Sequence, residues 1–112
     1  MEVALNTEIV KGNKLIQQFI SESKIVWTDE YFNYAAFNSG YNDDWAKLIK
    51  VLEKVKSKGF VVEILIATES KCKITSAVTG EISIANANTN LTQAVYETLV
   101  QFISWFHEHH EY

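Results

Sequence analysis

At 112 residues the chain has room for one domain, 1–112, and enough length to bury a core without metal or disulfide help. The net charge is −4, and all ten basic residues are lysine. With no arginine to fork onto phosphate or guanine and a sequence pI near 5.3, nucleic acid is not an expected partner. A single cysteine, Cys72, excludes an intramolecular disulfide and any disulfide-stapled scaffold.

MEVALNTEIVKG, at the N-terminus, lacks the basic-then-apolar pattern of a signal peptide. No apolar run approaches the roughly 20 residues that cross a bilayer. The expected localisation is cytoplasmic, with no membrane partner. Leu15, Ile16, Phe19 and Ile20 then recur at helical spacing. That helix starts either at an Asn13 cap or earlier, near Thr7, with Gly12 tolerated inside it at about 1 kcal/mol.

Residues 24–37, KIVWTDEYFNYAAF, are β-branched and aromatic around Thr28-Asp29-Glu30 and read as one or two strands. Residues 27–45 hold seven of the chain's 14 aromatics, interleaved with asparagine, and two readings stand side by side. Trp27, Tyr31, Tyr34, Phe37 and Tyr41 form either an exposed partner-binding patch or one edge of the core.

The next segment opens with Tyr41-Asn42-Asp43-Asp44-Trp45. Asn42 is expected as the helix N-cap, with Asp43 and Asp44 in the first turn, where carboxylates complement the helix dipole. Adjacent helical positions diverge by about 100°, so the two carboxylates do not converge on a metal. Trp45, Leu48, Ile49, Leu52 and Val55 carry the helix to about Lys58, and Gly59 ends it. Lys47, Lys50, Lys54 and Lys58 recur opposite the apolar face and read either as a solvated helix face or as a surface for an acidic partner.

Three strands follow: FVVEILIA (60–67), KCKITSAV (71–78) and EISIA (81–85), with turns at Glu69-Ser70 and Thr79-Gly80. The first is almost continuously apolar, which predicts a strand covered on both sides or nearly so. In the second, Cys72 alternates as a small buried hydrophobe would. Asn90 with Gln93 reads as a capping box for a long final helix. On that helix Tyr96 and Val100 sit with Ile103 and His107 on a second stripe, a candidate two-fold interface. His107, His109 and His110 read as a solvated tail dispensable for folding. The fold class is α+β: a mostly antiparallel sheet of three to five strands packed with three helices, the C-terminal one long.

Tyr41-x-x-x-Trp45 opening a helix, Cys72-Lys73-Ile74 in a strand and NLTQAVYETLVQFISWFHEH at 90–109 together resemble a family. It comprises small uncharacterised proteins of Bacteroides-type bacteria and their phages, related to phage αβα-sandwich domains. The resemblance runs from residue 13 to 109, with 24–37 matching poorly. Asn42-Asp43-Asp44 stands where that family often has His-Ser-Ser. The resemblance implies the fold and a phage or prophage setting, and it transfers no catalytic residue.

The resulting expectation is a non-enzymatic interaction module, without cofactor or metal, that binds a protein partner or itself. A small-ligand binder using a pocket lined by aromatics of 27–45 is the alternative. A hydrolase built on Asp29, Glu30, Asp43 or Asp44 is the least supported class.

Overall fold

A computed structural model describes residues 7–21, 36, 38–76 and 83–109. Its elements run α1 (Thr7–Ser21), α2 (Trp45–Ser57), β1 (Phe60–Leu65), β2 (Ser70–Ser76), β3 (Ser83–Asn88) and α3 (Leu91–His109). The sheet has the order β1-β2-β3 with both pairs antiparallel, so the α+β expectation holds. The strands predicted within 24–37 and the turn at 79–80 lie outside the described residues.

Alternation fixes which face of the sheet is covered. Cys72 and Ile74 of β2 are buried, while Lys71 and Lys73 between them are exposed. Registering Val62 with Ile74, Ile64 with Cys72 and Ile74 with Ile84 carries the covered face across all three strands. Helix α3 lies over β2 and β3, and α2 lies over β1. Helix α1 packs on α3 and α2 instead of on the sheet.

The earlier of the two possible starts for α1 is the observed one, and Gly12 lies within the helix. Its role is spacing. A Cβ there would lie 2.9 Å from Tyr96 Cζ and 2.9 Å from Val100 Cγ2, closer than van der Waals contact permits. Intimate packing of α1 on α3 therefore offsets the roughly 1 kcal/mol that a mid-helix glycine costs.

The start of α2 corrects the expected cap by two residues. Amides of Asp43 and Asp44 both donate to Gly40 O, at 3.1 and 2.9 Å, in a tight turn. Asp44 is thereby held extended at φ −106° and ψ 103°, and its Oδ1 accepts from Lys47 N–H at 3.2 Å. Asn42 instead turns inward, where its Oδ1 accepts from Asn13 Nδ2 at 3.3 Å. Asp44→Ala should accordingly cost about 1 kcal/mol in chemical denaturation. A loss on replacing Asn42 would come through its bond to Asn13. At the other end Gly59, at φ 92°, donates to Lys56 O and turns the chain from α2 into β1.

Strand β3 runs beyond the predicted end at Ala85, while Glu81 and Ile82 lie outside the described residues. It is Ser83–Asn88, paired from Thr75 with Ser83 to Ser70 with Asn88. Asn86 and Asn88 are poor strand formers alone. Asn86 is kept in place by a reciprocal amide pair with Gln101 of α3, at 3.1 and 3.3 Å. Asn90 caps α3 by accepting from Gln93 N–H at 3.1 Å. The other half of the expected capping box is supplied differently. Asn90 N–H donates to Asn88 Oδ1 at 2.9 Å, and the Gln93 side chain reaches Glu97.

The centre of the core is Phe102, fully buried, with the rings of Phe19, Phe60, Trp105 and Phe106 around it. Thr98, also buried, donates to Ala94 O at 2.8 Å and lies 3.2 Å from Cys72 O, so its hydroxyl is satisfied where α3 meets β2.

Candidate functional site: the β1 edge and its groove

FVVEILIA is the segment whose environment departs furthest from its composition. Its apolar run predicts burial, yet β1 is the outer strand of the sheet, and among the described residues nothing pairs with its far edge. Val61 is 41 % exposed, Ile64 37 %, Leu65 56 % and Ile66 73 %. The covered-strand expectation is therefore corrected. Continuous apolarity cannot separate a central strand from an edge whose partner lies elsewhere.

Edge strands usually carry devices against pairing with other chains: lysine, proline, bulges or very short length. β1 has none of these within its six residues, and its only charge is Glu63. Even that charge is balanced, since Glu63 stands opposite Lys73 on β2.

Beside the strand runs an open groove of about 420 Å³, lined by Ile49, Leu52, Glu53 and Lys56 of α2 and by Phe60, Val61 and Val62. It lies where α2 packs over β1, with Leu52 buried and Ile49 and Phe60 half-buried. The floor is hydrocarbon, and Glu53 and Lys56 stand at the helix side. An extended segment laid along β1 could bond to the strand's outward N–H and C=O groups. Its alternate side chains would then fall into the groove.

The residues singled out from sequence have other placements. Trp27, Tyr31, Tyr34 and Phe37 lie outside the described residues. Tyr41 is half-buried against the core, and burial raises its phenol pKa. Lys47 covers it, with Nζ 5.8 Å from the ring centroid and donating to Ser39 O. Trp45, 37 % exposed, opens α2.

Tyr96 and Val100 do not form an exposed stripe on α3, which corrects the proposed interface there. Helix α1 crosses that face at Gly12, Tyr96 is buried, and Val100 packs against the core. The Tyr96 hydroxyl donates within a junction formed by Asn13 Oδ1 at 3.0 Å and Ile9 O at 3.2 Å. Burial, helped by the nearby Glu8 carboxylate, pushes its pKa up to about 12, so it stays protonated.

Cys72 is buried, and desolvation pushes its thiol up to about 11, the state of a small hydrophobe rather than a nucleophile. Two of the three C-terminal histidines, His107 and His109, belong to the final helix. α3 continues to His109, whose ring stacks on Trp105 with centroids 4.8 Å apart. His107 is partly buried, which lowers its pKa, and His110 lies outside the described residues.

Of the site residues that matter here, Ile64, Leu65 and Ile66 carried no expectation of their own, and Ile49 was expected only as part of the apolar face of α2. The available signal was local: an unguarded apolar run immediately after a helix-ending glycine, at the start of a meander. A meander's first strand is an edge unless something else joins it. Among the described residues no helix is long and apolar enough to cross a membrane. Compared with protein-family models, curated proteins and solved structures, the chain matches none.

Proposed function

We propose that this protein is an interaction module that takes up an extended segment of a protein by adding it as a strand to β1, with the neighbouring groove reading its side chains. The observation that carries this reading is the coincidence on one edge of an exposed apolar strand and, among the described residues, an open apolar groove. Strand addition supplies affinity through main-chain hydrogen bonds and selectivity through pockets for alternate side chains. The groove offers floor contacts for apolar side chains, and its charged groups, Glu53 and Lys56, stand three positions apart on α2. Binding rather than catalysis fits such a surface. The family resemblance adds a phage or prophage setting to this proposal.

Among the described residues the groove is lined by α2 and β1, which supports a strand-binding edge over a pocket built from the aromatics of 27–45. A synthetic peptide of alternating valine and threonine is a suitable probe. It should slow hydrogen exchange of the outward-facing amides in 60–65 and leave those of β3 unchanged. Equal protection at both edges, or none at β1, would remove the reading.

A further inference from the structure

The segment that β1 takes up is identified by the strand itself. We infer that it is β1 of a second copy of this chain, paired antiparallel about a two-fold axis through Ile64. This rests on the edge reading above and names its partner.

The argument is one of self-complementarity. The most exposed of the large apolar side chains, Ile66 at 73 %, and the groove stand on the same edge. They are four residues apart along one strand direction, with Val62 at the groove. Side chains alternate, so Phe60, Val62, Ile64 and, when the strand extends one residue further, Ile66 share the groove-side face. A two-fold axis normal to the sheet makes two copies of one strand antiparallel neighbours and keeps both sets of helices on one side. Directly opposed residues then share a face, so their numbers sum to an even value.

Three such registers bring the strands together centrally. With the axis at Glu63, each Glu63 faces its own copy, an unfavourable like-charge pair. An axis at Val62 leaves Ile66 beyond the partner's strand. Placing it at Ile64 sets Ile64 against Ile64, Ile66 against the partner's Val62 at the groove, and Glu63 against the partner's Leu65. Each copy then gives a knob and receives one, as an isologous contact requires. The sheet becomes six-stranded, β3-β2-β1-β1-β2-β3, and both unguarded edges are paired. One strand pair with two inserted isoleucines is a small interface, so the expected dissociation constant is micromolar rather than nanomolar.

Sedimentation velocity over a concentration series on the full chain tests this. The wild type should pass from monomer to dimer across the micromolar range. Ile66→Lys, at a side chain too exposed to matter for folding, should weaken the dimer roughly tenfold or more. Ala85→Lys, exposed on β3 at the sheet's other end, should leave it unchanged. The inference is overturned if the wild type stays monomeric throughout, if Ile66→Lys dimerises like the wild type, or if Ala85→Lys abolishes the dimer instead. A monomeric wild type whose β1 amides are still protected by the valine–threonine peptide would overturn self-pairing alone and leave the edge reading standing. Without that protection both fall.

Discussion

Phe102→Ala is expected to be among the most damaging single truncations in the chain, costing about 3–5 kcal/mol in urea denaturation. The ring is fully buried and stands where the layers meet. Phe60 at the start of β1 packs edge-on at 4.8 Å between centroids, and Phe19 of α1 does so at 6.0 Å. Phe106 and Trp105, on the same helix, lie at 5.8 and 6.1 Å. Removing the ring takes a contact from the sheet and from both terminal helices at once. Small domains are stable by only about 5–15 kcal/mol, so the variant should approach the threshold of folding. Ile66→Lys offers the contrast, within about 0.5 kcal/mol of wild type because its side chain already stands in water. A Phe102→Ala loss below about 1 kcal/mol would mean that the core is centred elsewhere.

Local periodicity carried most of the fold. Helix α2 is readable from Trp45 to Val55, and Cys72 and Ile74 alternate with lysines as the strand they form requires. What escaped was fixed by partners distant in sequence. The cap of α2 passed from Asn42 to Asp44 because Asn42 is drawn to Asn13, 29 residues away. β3 runs on through Asn86 and Asn88 because register with β2 and the amide pair with Gln101 override the propensity of its residues. The stripe of Tyr96 and Val100 read as surface because the sequence does not reveal that α1, through Gly12, crosses that face. The same blindness hid the candidate site. An apolar strand is legible as a strand, but whether its edge is covered is a property of topology. Here composition and exposure disagree most at β1, and disagreements of that kind are expected at functional sites.

Asn13→Ala should cost about 2–3 kcal/mol, more than an ordinary hydrogen-bond deletion, because it opens a buried polar junction instead of removing one bond. Asn13 is fully buried on α1. Its Nδ2 donates to Ala36 O at 2.8 Å and to Asn42 Oδ1 at 3.3 Å, while its Oδ1 accepts from the Tyr96 hydroxyl at 3.0 Å. One amide therefore ties α1 to α3 and to the turn that launches α2, with both donors and its acceptor engaged. Some of the partners it would abandon have other bonds. Ala36 O also accepts from Ser39 N and Oγ, and Tyr96 can still donate to Ile9 O. Those alternatives hold the cost below that of a stranded buried charge. Asn13→Leu should fare no better, since it keeps the branched shape, adds bulk at a fully buried position and removes every polar contact. The signature is coupling. In a double-mutant cycle with Tyr96→Phe, the two losses should overlap by about 0.5–1.5 kcal/mol, because both remove the same bond. Strict additivity, with each variant costing the same in the presence of the other, would mean that Asn13 and Tyr96 act independently and that the junction is not one unit.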